Sequence, residues 1–418
     1  MTFYQSTAPS PAYPALQTNL SCEVCIIGAG YAGLATAASL LERGIKNIVL
    51  LEAEYVGYGA SGRNGGFVFG GFSLGNQALI KQLGLARTRH LYQLTLDSVE
   101  LIRQRIDKYT IDCEKNDSGV LLANWFDDER ILTQQQQFMQ QQFHVDWELW
   151  SCEQTREKLH SQRYFGALHE KNAFHFHPLK YAQGLAATLV AKGLQLYEGA
   201  RVNKIDSSTG EKIVHTRHGQ VKAQHVVICC GGYIDQLKPA LSRSVLPITT
   251  FAMATEPLGE RLDEALSTSA AVYDTRFAFD YYRPLADSRI LWGGRISIFN
   301  PHPREIARLL YDDMVKVYPQ LAGVKVEHAW SGKMSYARHQ MPQIGQLPDG
   351  LWYGMGFGGH GISTTTLAGE VLADAIATRQ PLPSGLEQFG LPASFGALGL
   401  LAAQCTYWYY GLRDRWKE

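Results

Sequence analysis

The sequence predicts a two-domain α/β protein in which a parallel-sheet domain is interleaved with an α+β domain built on an antiparallel sheet. A strand, a glycine turn, a helix and a second strand follow one another over residues 23–52. Strand-like runs separated by short turns lie at 246–256, 277–283 and 289–296, and an α/β pattern returns at 351–378. Strands joined by a helix pair in parallel, whereas strands joined by short turns pair antiparallel, so the two sheets should differ in type.

The length of the chain also favours two domains. A chain of 418 residues exceeds the usual size of one compact core, and its 45% of hydrophobic residues can fill two cores. We expect the parallel-sheet domain to comprise residues 1–75, 150–235 and 335–390, the antiparallel-sheet domain to comprise residues 76–149 and 236–334, and residues 391–418 to form a C-terminal apolar helix.

Charge and cysteine content narrow the class of protein. The 39 basic and 39 acidic residues balance, which argues against nucleic-acid binding. Seven scattered cysteines indicate a reducing compartment, and we interpret the C-x-x-C of Cys22 and Cys25 as strand core, with no metal site. The first twenty residues lack a secretory signal and should form an extended surface arm. We therefore expect a cytoplasmic protein.

The first glycine motif has the context of a Rossmann-type dinucleotide site. A buried strand enters Gly28-Ala29-Gly30-Tyr31-Ala32-Gly33, an alanine-rich helix follows, and the second strand ends at Glu52. Gly28 permits the tight turn, Gly30 lets the backbone approach a pyrophosphate, and Gly33 allows close helix packing. The helix N-terminus attracts the phosphates, and Glu52 would accept hydrogen bonds from ribose hydroxyls.

A second match to the same pattern, at Gly354, Gly356 and Gly359, has a different interpretation. A helix runs from about Ser363 to Ala377 and meets prolines, so no second strand with a terminal acid follows. We expect a glycine loop whose N–H groups, with Ser363, Thr364 or Thr365, stabilise negative charge at the O2 edge of a reduced flavin. The glycine-dense stretch 57–75 should likewise be a loop close to something flat.

These motifs, taken together, resemble those of the D-amino-acid oxidase and sarcosine oxidase superfamily of FAD enzymes, most closely its gamma-glutamylputrescine oxidase branch. The resemblance spans nearly the whole chain. It rests on the arm FYQSTAPSPAYPAL, on IIGAGYAGLATA, on VGYGASGRNGG at 56–66, on VVICCGGY at 226–233, on ATEPL at 254–258, on YYRPLADSRILWGGR at 281–295, on WSG at 330–332 and on GFGGHG at 356–361.

The resemblance implies an FAD site in which residues 61–66 follow the ribityl chain and flavin, Val202 lies beside the adenine, and Gly231 and Gly232 end a strand under the pyrophosphate. The complete predicted set is Gly28, Gly30, Tyr31, Ala32, Gly33, Glu52, Ala53, Ser61, Gly62, Arg63, Asn64, Gly65, Gly66, Val202, Gly231, Gly232, Gly358, Gly359, His360, Gly361, Ile362 and Ser363. Sarcosine oxidases attach FAD through a cysteine in a stretch where this chain has none, so the FAD should be non-covalent; attachment through a histidine stays open.

The substrate end of the site departs from the wider superfamily. Many members place an arginine, which clamps a substrate carboxylate, where this chain has Met334. This favours an amine whose acid group is distant or absent, although the neighbouring Lys333 could supply a cation. The expected substrate sheet contains aromatic side chains suited to an ammonium group and a methylene chain, namely Phe279, Tyr281, Tyr282 and Trp292. Because side chains alternate along a strand, half of these four should belong to the core. Asp280 could pair with a cation or be solvated.

We name His360, Arg63 and Tyr282 as candidate catalytic residues. His360 could take a proton from the substrate ammonium or simply hydrogen-bond to the backbone, and Arg63 could face the cofactor or be a surface charge. The expected reaction is hydride transfer from the carbon beside the amine to flavin N5, hydrolysis of the imine to an aldehyde, and reoxidation by O2 to H2O2. The resemblance implies gamma-glutamylputrescine or a related polyamine derivative.

Two other functions stay open. One is an FAD-dependent amino-acid dehydrogenase that passes electrons to a membrane quinone, and the other is an inactive flavin-bound interaction protein. The first would give a purpose to residues 393–412, which meet the length criterion for a membrane span and precede several cations. A helix docked on the protein, or peripheral contact with a membrane, is an equal alternative.

Overall fold

The computed structural model describes residues 1–9, 11–207 and 210–418. Its helices are α1 (Phe3–Thr7), α2 (Tyr31–Glu42), α3 (Asn76–Leu83), α4 (Leu85–Lys108), α5 (Arg130–Phe143), α6 (Cys152–Leu159), α7 (Pro178–Ala191), α8 (Pro239–Ser242), α9 (Pro303–Val317), α10 (Gly361–Ala377) and α11 (Gly396–Lys417). Its strands are β1 (Leu20–Ile27), β2 (Ile48–Leu51), β3 (Phe67–Val68), β4 (Val120–Ala123), β5 (Glu148–Trp150), β6 (Ala167–Glu170), β7 (Phe174–His175), β8 (Gln195–Tyr197), β9 (Lys204–Asp206), β10 (Lys212–His215), β11 (Gln220–Ile228), β12 (Val245–Thr255), β13 (Ala271–Asp274), β14 (Asp280–Pro284), β15 (Ile290–Ser297), β16 (Val326–Ala337), β17 (Gln343–Gln346) and β18 (Trp352–Met355).

The first sheet has the order β17-β18-β11-β1-β2-β8, with β10 and β9 attached to β11. The pairs from β18 to β8 are parallel, as the first βαβ unit predicts. Alternate residues of β1 and β2 enter two different cores, so both faces of the sheet are buried. Cys22 and Cys25 belong to one of these cores, which confirms their interpretation as strand core.

The second sheet has the order β16-β12-β15-β14-β13-β4-β6-β5, and its pairs are antiparallel except for β13 with β4. The three strand-like runs of the sequence correspond to β12, β14 and β15, whereas β13 and the long β16 were not predicted. Helix α9 packs on one face and closes a separate core. The predicted fold class, with a parallel sheet interleaved with an antiparallel one, is therefore confirmed.

The expected boundary at residue 150 is wrong. Strand β6 lies within the range 150–235 but pairs with β4 and β5 of the second sheet. The return to the first sheet comes only after this strand, because the long connection through α5 and α6 brings the chain back to the second sheet before it reaches α7.

The N-terminal arm is not simply extended, as we expected. A capping box between Thr2 and Gln5 starts helix α1, and Phe3 and Tyr4 are buried. The Tyr4 ring packs edge-on against Trp330, and its hydroxyl donates to the carbonyl of Asn64 at 2.8 Å. Aromatic burial therefore fixes this part of the arm, and Ser10 of the predicted arm lies outside the described residues.

Candidate active site

One cavity of about 1120 Å³ lies between the two sheets. The ends of β1 and β2, with Cys229 and Cys230 just after β11, line one end of it, and β14, β15 and β16 line the other. The loop 58–69, the segment 357–363 and helix α11 complete its wall. The two glycine motifs of the sequence, far apart along the chain, therefore meet at a single site.

The first glycine turn has the geometry that the motif predicts. Gly28 has a φ of +103°, and a Cβ there would lie 2.7 Å from the carbonyl oxygen of Cys229. A Cβ on Gly30 would lie 2.9 Å from Ser61 Oγ, which accepts a hydrogen bond from the backbone N–H of Tyr31 at 2.9 Å. Both glycines and Ser61 line the cavity, so this turn brings the N-terminal end of α2, with its positive dipole end, to the cavity wall.

Two predicted glycines serve packing and do not line the cavity. A Cβ on Gly33 would lie 1.9 Å from the carbonyl oxygen of Gly28, so this glycine lets α2 pack against the turn, as we expected. A Cβ on Gly62 would lie 2.3 Å from the carbonyl oxygen of Gly57. Gly62 therefore packs against the loop and does not reach the cavity, so the predicted contact between Gly62 and the cofactor is wrong.

Glu52 follows β2 at the same end of the cavity. Its Oε2 accepts the N–H of Ala29 at 2.7 Å, and its Oε1 accepts the N–H of Glu54 at 2.9 Å. Burial raises the pKa of Glu52, while these backbone N–H groups favour the carboxylate. Ala53 and Val202 line the cavity beside it. A carboxylate oxygen has capacity for further hydrogen bonds, so Glu52 could still accept ribose hydroxyls.

The loop 61–66 is fixed by its own side chains. Asn64 Nδ2 donates to the carbonyls of Ala60 and Ser61 at 2.9 Å, and its Oδ1 accepts the N–H of Gly66 at 2.8 Å. Gly66 has a φ of +81°, and a Cβ there would lie 2.0 Å from the carbonyl oxygen of Phe176. The loop therefore lies tightly on Phe176, just after β7, and Asn64, Gly65 and Gly66 line the cavity.

Arg63 is a tethered cavity residue and not a free surface charge. Its Nε donates to the carbonyl of Tyr58 at 2.8 Å, and its Nη1 donates to the carbonyl of Ser331 at 3.1 Å. The guanidinium lies 5.0 Å from the centre of the Tyr58 ring. These contacts join the loop to β16 of the second sheet and hold one guanidinium edge, so Arg63 is placed between the two sheets.

The remaining predicted backbone positions also line the cavity. Gly231, Gly232 and the segment 358–363 all line the cavity. Gly358 has a φ of +62°, and a Cβ there would lie 2.3 Å from Ser73 Oγ, which also accepts the N–H of Gly359 at 3.0 Å. Helix α10 begins at Gly361, directly at the cavity wall. Its first N–H groups and its positive dipole end therefore face the cavity, as we predicted.

His360 immediately precedes α10 and lines the cavity. Its ring meets the Phe69 ring edge-on, with 5.0 Å between centroids. Burial lowers the pKa of His360 to about 4, so the imidazole is neutral at neutral pH. A neutral ring can accept a proton, although burial makes the resulting cation costly.

Tyr282 does not face the cavity, so its prediction as a catalytic residue is wrong. Its ring stacks on Trp292 at 4.4 Å, and its hydroxyl hydrogen-bonds to Tyr318 at 2.8 Å inside the core of the second sheet. The neighbouring Tyr281 lines the cavity instead, because successive side chains of a strand point to opposite faces. A Cβ on Gly293 would lie 2.1 Å from Cζ of Tyr281, so this glycine makes room for the ring.

Asp280 is neither solvated nor part of the cavity lining. It is buried and pairs with Arg276 at 2.7 Å, and Arg276 also pairs with Asp274 at 2.6 Å. Burial raises the pKa of Asp280 to about 7, against the lowering effect of Arg276. The cation that pairs with Asp280 is therefore Arg276 of the protein itself and not a ligand. Asp280 thus positions Arg276, which lines the cavity.

Several cavity residues were missed by the sequence analysis. Phe69 stacks on Tyr273 with ring centroids 5.7 Å apart, and these two rings line the same end as Tyr281 and Phe279, which were predicted. Thr406 and Tyr407 of α11 also line the cavity. The high aromatic content near β14 was a signal for the first group, but no local pattern places α11 against the site.

Met334 and Lys333 both line the cavity. The Lys333 ammonium lies 5.8 Å from the centre of the Tyr233 ring, and the Arg338 guanidinium lies 5.5 Å from the centre of the Phe395 ring. Within the described ranges, neither cation has a carboxylate partner. Arg295, in contrast, is neutralised by Asp313 at 2.6 Å. Lys333 and Arg338 are therefore available to a ligand carboxylate.

The parallel sheet, the glycine turn and the terminal Glu52 define a Rossmann-type dinucleotide-binding protein whose cofactor cavity is closed by a second sheet. The family model described as FAD dependent oxidoreductase, DAO, matches residues 23–375. The chain belongs to this family, and it is an FAD-dependent oxidoreductase.

Individual relatives agree with this assignment. Gamma-glutamylputrescine oxidoreductase of Escherichia coli is 33% identical, with 99% of this chain and 98% of that protein covered. A probable oxidoreductase, OrdL, of Haemophilus influenzae is 31% identical, with 99% and 97% covered. The crystal structure of glycine oxidase from Geobacillus kaustophilus has a TM-score of 0.74 and 21% identity, and covers 90% of this chain and 99% of that one. The last comparison shows the fold.

The residues present fit FAD. The turn at Gly28 and Gly30 is a cradle that a Cβ would fill, and it lies beside a carboxylate at the end of β2. The cavity then continues past the loop 61–66 to the start of α10, and its volume exceeds that of an ordinary small-molecule pocket. Dinucleotide and substrate can therefore share one cavity.

Proposed function

We propose that this protein oxidises the C–N bond of a small amine, with gamma-glutamylputrescine or a related polyamine derivative as substrate. The observation that carries the proposal is the continuity of the cavity, which joins the glycine turn at Gly28 and Gly30 to an aromatic end. That end contains Phe69, Tyr273 and Tyr281, and it has Met334 where a carboxylate-binding arginine was expected in amino-acid oxidases.

The proposed reaction removes two electrons and two protons from the amine to give an imine. Water then adds to the imine, which yields an aldehyde and releases the nitrogen as ammonia or an amine. FAD, when bound, supplies the hydride acceptor and passes the two electrons to O2, which becomes H2O2. The protein must therefore bind the amine in its neutral form, orient it and exclude water during the transfer.

Three groups of this chain have proposed roles in that reaction. The N–H groups of the first turn of α10, at 361–363, and the positive end of this helix stabilise negative charge on the opposing ligand. Arg63, held by two carbonyls, positions the loop 61–66 against the second sheet. His360 is neutral, so it can accept a hydrogen bond from the substrate amine without adding a repelling positive charge.

The two ends of the proposed substrate have matching chemistry in the cavity. Aromatic faces at Tyr281 and Phe279 suit the methylene chain beside the amine. Lys333 and Arg338 suit a carboxylate at the far end of the molecule. The name of the Escherichia coli relative supports this substrate.

The proposal is tested by product analysis. Purified protein and gamma-glutamylputrescine in air should give an aldehyde and H2O2 in equal amounts, at a kcat/KM at least tenfold above those for glycine, sarcosine and D- or L-amino acids. A higher kcat/KM for any α-amino acid would refute the proposed substrate class.

The electron acceptor has a second candidate. Helix α11 exposes an apolar face that includes Leu398, Leu401 and Trp408, and this observation favours a membrane quinone over O2. Rapid reoxidation by a soluble quinone, together with slow reoxidation by O2 in the same stopped-flow experiment, would favour a dehydrogenase. The opposite order would favour an oxidase.

A further inference from the structure

The C-terminal helix α11 has the reverse of the usual distribution of polarity. Its buried side chains are Gln404 and Asp414, which are only 4% and 5% exposed. Leu398 and Trp416 are 74% and 84% exposed. The other exposed large apolar side chains of the helix are Leu401, Trp408, Tyr409 and Leu412. A surface helix normally buries its apolar side, so this helix is docked with its apolar side outward.

Specific polar contacts fix this orientation. Gln404 Oε1 accepts the N–H of Ile298 at 3.0 Å. Asp414 Oδ2 accepts the N–H groups of Phe277 and Ala278 at 2.9 and 3.2 Å. Rotation of the helix that buried its leucines would leave these polar groups without partners, at a large desolvation cost. The outward apolar side is therefore a defined feature of the fold.

The exposed apolar side chains form one continuous stripe. Leu398, Leu401, Cys405, Trp408 and Leu412 follow at alternating intervals of three and four residues, which places them on one helix face. The exposed rings of Phe299 and Phe395 add to the apolar surface near the helix. A contiguous exposed patch of this kind marks an interaction surface.

The charges on α11 indicate the kind of partner. Arg413, Arg415 and Lys417 are exposed at its C-terminal end. Its one acid, Asp414, is buried and partnered, and Glu418 just beyond the helix accepts a hydrogen bond from Trp125 Nε1. The stripe is thus apolar and is followed by three exposed cations, while the two acids beside them are paired within the protein. An antiparallel second copy of α11 would bring these cations to a helix N-terminus, where the helix dipole is also positive.

We propose that α11 is an interfacial helix that binds the surface of an anionic lipid bilayer. The leucines and tryptophans enter the acyl boundary, and the three cations contact acidic headgroups. Within the described residues, no helix is long and apolar enough to cross a membrane, so binding is peripheral. This inference does not rest on the proposed substrate.

Membrane binding would act directly on the wall of the active-site cavity. Ala402, Ala403, Thr406 and Tyr407 of the same helix line that cavity from within. The apolar stripe and the cavity lining therefore lie on two sides of one helix. Binding would place the cavity wall against the bilayer, within reach of an apolar molecule dissolved in it.

The test uses the FAD-loaded full chain and vesicles, with binding as its readout. Co-sedimentation is measured with vesicles of phosphatidylcholine alone and of phosphatidylcholine mixed with phosphatidylglycerol. We expect binding to the anionic vesicles, with partition at least tenfold weaker on neutral ones. The triple variant Arg413→Gln, Arg415→Gln and Lys417→Gln should lower partition on anionic vesicles by roughly a hundredfold, at about fivefold per cation. Added salt should weaken the binding of the natural chain.

Matched variants separate the alternatives. Trp408→Ser on the stripe should weaken binding to anionic vesicles, whereas Leu149→Ser, an exposed leucine of β5, should not. Absence of binding to anionic vesicles at low salt would overturn the proposal. So would a stable dimer in sedimentation equilibrium that Leu401→Ser converts to monomer, because a second copy would then cover the stripe.

Discussion

Replacement of Gly28 by alanine tests whether the first glycine turn holds the cofactor. The φ of +103° costs a residue with a Cβ about 1–2 kcal/mol, and the new Cβ would lie 2.7 Å from the carbonyl oxygen of Cys229. Relief of this contact must move the turn or Cys229, just after β11. Both line the cavity, so the N–H groups at the turn would shift away from a phosphate. FAD binding would have to push the displaced turn back against the Cys229 carbonyl, and each 1.4 kcal/mol of that cost weakens binding about tenfold, so we expect FAD to bind at least roughly tenfold more weakly.

Gly44→Ala is the matched control. Gly44 ends the same helix with a φ of +86°, but a Cβ there would meet no atom of the surrounding structure within 4 Å. It should lower the free energy of unfolding by about 1–2 kcal/mol, from backbone strain alone, and leave the Kd for FAD unchanged. The assay is titration of apoprotein with FAD, beside urea unfolding. Equal FAD affinity in Gly28→Ala and the natural chain, or equal weakening by Gly44→Ala, would refute the reasoning.

Three further predictions concern the second sheet and the cavity. Tyr282→Phe should lower the free energy of unfolding by about 1–3 kcal/mol and leave kcat/KM unchanged, whereas Tyr281→Ala should lower kcat/KM. Urea unfolding and steady-state rates measure these effects, and the reverse pattern would restore Tyr282 as the catalytic candidate. Burial raises the pKa of Glu170 to about 7, so the free energy of unfolding should fall as the pH rises from about 4.5 to 7. Glu170→Gln should therefore be more stable than the natural chain at pH 8, by at most about 3 kcal/mol, with a smaller difference at pH 4.5. An equal difference at both pH values would contradict this prediction. Lys333→Met or Arg338→Met should raise KM for gamma-glutamylputrescine several-fold but not KM for putrescine, whereas equal changes for both substrates would exclude a role in carboxylate binding.

Local patterns predicted the cofactor end of the protein well. The strand, turn, helix and acid from β1 to Glu52 are adjacent in sequence, and steric rules fix their geometry, so Gly28 and Gly33 have the roles expected of them. The meeting of this turn with the segment 358–363 was suggested by resemblance and glycine content. The structure brings the two together in one cavity.

Long-range packing decided what local patterns could not. The strand containing Tyr281 and Tyr282 alternates, but which face is inward depends on its register with Gly293 and on the core around Trp292. The boundary at residue 150 failed because β6 pairs with strands distant in sequence. The sequence showed that helix α11 is apolar. Which side of the helix faces the cavity, however, depends on the contacts of Gln404 and Asp414 with the residues around the second sheet.

The central claim is that this FAD enzyme oxidises an amine and not an α-amino acid. The most direct test is anaerobic reduction of the bound flavin, followed by loss of its visible absorbance, with gamma-glutamylputrescine, putrescine, sarcosine, glycine, and D- and L-amino acids. We expect rapid bleaching by gamma-glutamylputrescine and slow or no bleaching by the α-amino acids. Rapid bleaching by an α-amino acid alone would contradict the claim and would indicate that a cation such as Lys333 binds the substrate carboxylate beside the reacting carbon.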